Sequence, residues 1–216
     1  MTRSILSGLL GVFVVVALGG LPLACQSGGV GDPCVPEDEY KTDFAGFKLS
    51  EENIESRSFQ CQTRICLVNH FQGRVSCPYG QAKPGTGATP TGCQTQTSGD
   101  GDKDKACCVP GTDTPIDVEV CGQCADGSGR DADQAVYCSC RCGVAEGEPE
   151  DPNFNFCECP SGFVCEQIRP NVGLGDVQLT GKYCIKQGTS YKGVGTCGAV
   201  NGHYSAAQCE GLAGGS

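Results

Sequence analysis

The sequence predicts a small disulfide-rich fold, mostly irregular, with short antiparallel β-hairpins and little helix apart from an N-terminal signal segment. Three observations predict it. Beyond residue 24 the chain keeps 192 residues and all 19 cysteines, about 9 % once Cys25 is set apart, a level that marks a disulfide scaffold. Leu, Ile, Val and Phe supply only 31 of those 192 residues, and there is no Trp. So little apolar surface cannot offset a chain entropy of ~1–2 kcal/mol per residue. Disulfides, each contributing ~2–4 kcal/mol mainly by restricting the unfolded chain, supply the difference. Reduction is therefore expected to unfold the protein, and persistent bridges call for an oxidising compartment.

Residues 1–24 read as a signal peptide. Arg3 is their only charge, an apolar run extends from Ile5 to Leu18, and Gly19, Gly20 and Pro22 break helix before Ala24-Cys25. A positive start, an apolar centre and a small residue at the cut are the marks of export. Ala24-Cys25 matches the end of a bacterial lipobox, whose cysteine takes diacylglycerol and becomes the new N-terminus; Pro22 stands where that box has Leu. A plain secretory signal and an uncleaved span over Ile5 to Ala24 are the alternatives, and the glycines and Pro22 weigh against the span. Removing Cys25 leaves 18 cysteines, an even set suited to complete pairing. The expected partner of the N-terminus is a membrane, reached through a lipid on Cys25. The expected location is the cell envelope, at the outer membrane or cell surface, because Gln26 follows the cysteine rather than a retaining Asp.

Residues 25–33 are expected to be the lipidated cysteine and a flexible polar tether. Residues 34–79 form an N-terminal module with Cys34, Cys61, Cys66 and Cys77, a set able to close on itself. Within it Ser50 is placed to start a helical turn through Glu51 and Glu52, and Ser58 to Val68 reads as a strand that pairs with Arg74 to Cys77 across Asn69 to Gly73. Residues 80–106 contain no Leu, Ile, Val or Phe and read as a polar Gly/Thr/Pro loop pinned only by Cys93.

Residues 107–216 form a C-terminal Cys-rich module with Cys107, Cys108, Cys121, Cys124, Cys138, Cys140, Cys142, Cys157, Cys159, Cys165, Cys184, Cys197 and Cys209. Ala135 to Cys142 reads as one strand with Cys138, Cys140 and Cys142 along one face. Three sulfurs on one face cannot conveniently bridge each other, so each is expected to reach a different partner. Cys157 and Cys159 form a second alternating pair, followed by a turn at Pro160-Ser161-Gly162 and a return strand from Phe163 to Ile168. Lys182 to Lys186 is a further strand, and Ser205 to Gln208 fits a capping box.

The segments Gln60-Cys-Gln-Thr-Arg-Ile-Cys-Leu-Val-Asn-His-Phe-Gln-Gly-Arg-Val-Ser-Cys77, Ala135-Val-Tyr-Cys-Ser-Cys-Arg-Cys142 and Cys157-Glu-Cys-Pro-Ser-Gly-Phe-Val-Cys165 resemble those of uncharacterised cysteine-rich lipoproteins of myxobacteria. The resemblance covers most of residues 34–190. It implies export and a cell-surface location and carries over no activity.

Beyond residue 24 there are 14 Lys and Arg, since Arg3 is lost, against 25 Asp and Glu, a net charge of −11. That excludes a nucleic-acid partner. Five thiols from Cys138 to Cys159 have the density of a soft-metal site, but export and even parity favour a disulfide ladder. Cys121-Gly-Gln-Cys124 follows the extended run Ile116 to Val120 as a thiol-redox motif would. The turn-like Ala125-Asp-Gly-Ser-Gly after it, however, lacks the helix that stabilises a reactive thiolate. Vicinal Cys107 and Cys108 are expected to take separate partners, because a bridge between them is strained. Asp100, Asp102 and Asp104 alternate as calcium ligands do, but Lys105 stands where a calcium loop has Gly and Gly111 where it has Glu. Gly188-Thr-Ser-Tyr-Lys192 misses the nucleophile elbow at Lys192. His70 and His203 are the only histidines, and no triad can be assembled from them. Cys159-Pro-Ser-Gly-Phe163 is reminiscent of the end of an epidermal-growth-factor-like module, with too short a gap to Cys165. The reading is a non-enzymatic exported protein without catalytic residues or cofactor, which meets an unknown protein or surface ligand on disulfide-held loops. A metal-binding protein using Cys138 to Cys159 and a thiol-redox protein using Cys121 and Cys124 are the alternatives.

Overall fold

The structure, a computed structural model, describes residues 29–82, 92–97, 105–125, 130–150, 152, 154–169, 179–193, 197 and 199–201. The signal peptide, Cys25, Asp100, Asp102, Asp104, His203 and the turn at Ser205 lie outside the described residues.

Among the described residues eight short strands run in chain order: β1 (Glu52–Glu55), β2 (Ile65–Asn69), β3 (Cys93–Gln94), β4 (Ala106–Cys107), β5 (Val136–Ser139), β6 (Arg141–Gly143), β7 (Phe163–Arg169) and β8 (Gly181–Lys186). A 3-10 turn at Glu37–Tyr40 and the four-residue helix α1 (Ala132–Ala135) are the helical elements among the described residues. The disulfide-rich, largely irregular fold with little helix is the one the composition predicts.

Two antiparallel sheets are built from these strands, in the orders β1-β2-β5 and β6-β8-β7, beside a two-residue parallel pair β3-β4. Strand β2, Ile-Cys-Leu-Val-Asn, is central and covered on both faces, which explains its near-continuous apolar run. Successive strand residues point to opposite faces. Cys66 and Val68 therefore join Cys34, Phe47, Cys61, Phe71, Val136 and Cys138 on one side. Leu67 joins Ile54, Tyr137, Tyr183 and Ile185 on the other. Tyr183 and Ile185 belong to β8, so the second cluster is the seam between the sheets. Each of its fully buried aliphatic residues contributes ~1.5–3 kcal/mol by leaving water.

The chain passes from one sheet to the other at Cys140. The single strand expected over Ala135 to Cys142 is instead β5 and β6 with a break between them. At the break Ser139 Oγ donates to the Cys184 carbonyl (2.9 Å), and the Cys184 amide donates to the Cys140 carbonyl (3.1 Å).

Several local expectations are corrected. Glu52–Glu55 is a strand rather than a helical turn, because Ile54 seats its one apolar side chain in the seam. Ser58 to Arg64 is turn, and β2 pairs with β1 and β5, in register Cys66↔Cys138. Arg74 and Cys77 bridge each other instead. Strand β7 returns against β8, not against Cys157 and Cys159. Residues 29–33 are not a free tether. The Gly31 amide donates to the Cys138 carbonyl, the Cys138 amide to the Asp32 carbonyl (both 2.8 Å), and Pro33 bridges Tyr137. Gly31 has φ +96°, and an added Cβ would lie 2.8 Å from the Phe163 ring, so only glycine fits there. Gln81, expected in the polar loop, is buried. Its amide donates to the Ile116 and Val118 carbonyls (3.0 and 2.6 Å), and its Oε1 accepts from the Cys107 amide (2.6 Å).

Candidate functional site

Sulfur dominates the chemistry. All 17 described cysteines are disulfide-bonded. Sixteen of them form Cys34–Cys66, Cys61–Cys138, Cys77–Cys107, Cys93–Cys108, Cys124–Cys197, Cys140–Cys157, Cys142–Cys165 and Cys159–Cys184. The seventeenth, Cys121, is bonded to a cysteine outside these pairs and so not to Cys124, which leaves no dithiol of the redox type at Cys121-Gly-Gln-Cys124. Vicinal Cys107 and Cys108 part to Cys77 and Cys93. Cys138, Cys140 and Cys142 reach three different partners. The N-terminal set does not close on itself: only Cys34–Cys66 stays within residues 34–79, while Cys61 and Cys77 cross to Cys138 and Cys107. The two expected modules are thus stitched by two bridges and by the β2–β5 ladder.

Cys93–Cys108 is half-buried at both ends, and the other seven bridges fall into two kinds. Cys34–Cys66, Cys61–Cys138, Cys77–Cys107 and Cys124–Cys197 are buried at both ends, none of these cysteines being more than 5 % exposed. The three bridges of the second sheet differ: Cys142, Cys157 and Cys159 are half-buried and Cys165 is exposed. These three also touch one another. Cys184 Sγ lies 3.6 Å from Cys140 Sγ and 3.7 Å from Cys157 Sγ, and the sulfurs of Cys142, Cys159 and Cys184 lie within 4.8 Å of each other. Of the five-cysteine group read from spacing, Cys138 is absent here, bonded to Cys61 in the first sheet, and Cys184 takes its place.

Beneath the first sheet is a buried ion pair that sequence reasoning missed. Glu39 and Arg74 are both fully buried. The Glu39 carboxylate accepts from the Val75 amide (2.6 Å), the Ser76 amide (2.9 Å) and Ser76 Oγ (2.6 Å). Arg74 donates to the carbonyls of Glu39, Lys41 (3.2 Å) and Phe44 (2.8 Å), with Nε 3.9 Å from Glu39. Burial pushes the Glu39 carboxyl above its usual range, against the pull of Ser76, Val75 and Arg74, and pushes Arg74 down. With nearly every polar atom occupied, the pair locks residues 39–44 to 74–76.

His70 sits at φ +50°. Its Nδ1 is 3.0 Å from the Leu49 carbonyl, its ring stacks on Tyr191 at 3.7 Å, and Nε2 is 3.8 Å from Glu52. Burial lowers its pKa, opposed by the Leu49 hydrogen bond and Glu52. No nucleophile faces it in these contacts. The guanidinium of half-buried Arg141 lies 5.3 and 5.6 Å from the rings of Phe154 and Phe156, and Arg64 lies 4.8 Å from the exposed Phe59 ring. These are cation–π contacts, within the ~6 Å reach of such pairs. A cavity of ≈ 410 Å³ lined by Ser76, Thr95, Cys108, Val109, Thr112 and Asp113 has Asp113 as its one ionisable group.

Comparison of the chain with protein-family models, curated proteins and solved structures gives no match. Among the described residues no helix is long and apolar enough to cross a membrane.

Proposed function

We propose that this chain is an exported, lipid-anchored protein of the cell surface whose role is structural or binding rather than catalytic. The observation that carries the reading is the engagement of every described cysteine in a disulfide. That state belongs to an oxidising, extracytoplasmic setting. It occupies the sulfurs that metal or redox chemistry needs as thiolates. The cross-links hold short loops rigid, so a partner bound on them meets a surface already ordered.

Cysteine arithmetic supports the anchor. Sixteen described cysteines pair among themselves and Cys121 is the seventeenth in a disulfide, which leaves Cys25 and Cys209 as the two candidates for its partner. Lipidation of Cys25 assigns Cys209 to Cys121. The test is the intact mass of protein taken from its native membranes and alkylated without reduction. A start at Cys25 with acyl chains and no alkylated cysteine is expected, together with a Cys121–Cys209 cross-linked peptide. Free thiols would overturn the scaffold reading. Retention of a Cys25→Ala variant in the membrane would overturn the anchor.

A further inference from the structure

We propose that Cys140, Cys157, Cys159 and Cys184 form a tetrathiolate site for a soft divalent cation, opened when a thiol reductant reduces the two bridges that now join them. This goes beyond the scaffold role and is independent of the lipid anchor.

Geometry is the first argument. In a tetrahedral zinc–thiolate centre with Zn–S bonds of ~2.3 Å, neighbouring sulfurs are about 3.8 Å apart. Cys184 Sγ already stands 3.6 Å from Cys140 Sγ and 3.7 Å from Cys157 Sγ. The fourth sulfur, Cys159, is bonded to Cys184 and grouped with Cys142 and Cys184, so it joins Cys140 and Cys157 only after its own bridge opens. Opening Cys140–Cys157 and Cys159–Cys184 lets each bonded pair relax outward by about 2 Å to reach the same spacing. Cys142, within 4.8 Å of Cys159 and Cys184, stands by as a fifth sulfur once its bridge to exposed Cys165 opens.

Access is the second argument. Thiol–disulfide exchange requires the attacking thiolate to reach a bridge sulfur. Cys157 and Cys159 are half-buried, whereas the comparable sulfur group of the first sheet, Cys34, Cys61 and Cys138, is wholly buried. Reduction therefore reaches the second sheet, along with the half-buried Cys93–Cys108 bridge, before the buried cross-links of the first. Each bridge takes two electrons and two protons from two reductant thiols, which leave as their disulfide. The four protein thiols then lose four protons as they bind one cation.

The probe is cadmium. The oxidised full-length chain, and the chain after limited reduction by a water-soluble phosphine (which leaves as its oxide, with oxygen from water), are titrated with Cd²⁺ and read by native mass and by the ultraviolet thiolate-to-cadmium band. The expected result is no cation on the oxidised chain and one per reduced chain. Cys140, Cys157, Cys159 and Cys184 should then be protected from alkylation. The Cys140→Ala/Cys157→Ala variant should lose stoichiometric binding, while Cys34→Ala/Cys66→Ala, which also removes one bridge, should keep it. Absence of stoichiometric cadmium, protection of other cysteines, or equal binding by the two variants would overturn the proposal. Protection mapped on the unmutated chain decides the matter if either variant fails to fold.

Discussion

Removing the Cys61–Cys138 bridge tests how the cross-links stabilise this fold. The bridge spans 77 residues and is buried at both ends. It does not act alone, because Cys77–Cys107 already short-circuits part of the loop. The path from Cys61 to Cys77 and from Cys107 to Cys138 is 47 residues. The chain-entropy relation assigns a loop of that size about 4 kcal/mol, and the 15-residue separation of Cys93–Cys108 about 3 kcal/mol. Cys61 and Cys138 also pack in the first sheet's core, so their truncation adds a packing loss that the more exposed Cys93 does not incur. Paired Cys→Ala variants, unfolded in guanidinium and followed by tyrosine fluorescence and far-ultraviolet dichroism, measure both. The Cys61→Ala/Cys138→Ala protein should be less stable than Cys93→Ala/Cys108→Ala by ~1 kcal/mol or more. An inverted order, or a loss below ~1 kcal/mol for the buried bridge, would refute the loop accounting.

Arg74→Met leaves Glu39 buried without its counter-charge and should cost ~3–5 kcal/mol. Adding Glu39→Gln should recover part of that in a double-mutant cycle, and additive losses would mean the two side chains act separately. His70 titrates with a lowered pKa, so the unfolded chain takes its proton first as pH falls. Stability should therefore drop as pH passes downward through the ordinary histidine value near 6.5 and level off below the folded value. Subtracting the pH profile of His70→Asn, a residue that tolerates positive φ, isolates this slope, and a flat difference would exclude the buried histidine. Gly31→Ala sets a methyl against the Phe163 ring at φ +96°. It should lower the melting temperature, at a cost of ~1–3 kcal/mol; an unchanged melt would show that the 29–33 segment yields.

What was legible in the sequence follows the range of the forces involved. The fold class was legible because cysteine frequency and apolar scarcity are properties of the whole chain. Strands β7 and β8 were legible to within a residue at either end, since alternation and the turn at Gly162 are local. Strand β1 was not: Glu-Asn-Ile-Glu has one apolar residue, and it extends only because Ile54 finds Leu67 and Tyr137. The partner of β2 lies some 70 residues away at β5, where no local signal reaches. Disulfide partners were illegible for the same reason. Cys184 nevertheless carried a usable sign. In Lys182-Tyr-Cys-Ile-Lys, Tyr183 and Ile185 share one face, so Cys184 must look the other way, toward whatever sulfurs lie there. Glu39 and Arg74 gave none, because charged residues in polar stretches read as solvated until their hydrogen-bond partners are known.

The docking of Gly31 and Pro33 on β5 bears on how a lipid at Cys25 would moor the molecule. From Cys25 to Gly29 there are four Cα–Cα steps, a reach of at most about 14 Å. That is under half the ~30 Å thickness of a bilayer's hydrocarbon core. If Cys25 carries a lipid, a body leashed so closely would not swing freely above the surface. It would ride against the headgroups with one flank shaded by them, held off anionic patches by its own negative charge. Macromolecules would then meet only its outward side. Lengthening the leash after Cys25, rather than altering any side chain, is the change that would bring the shaded flank into reach.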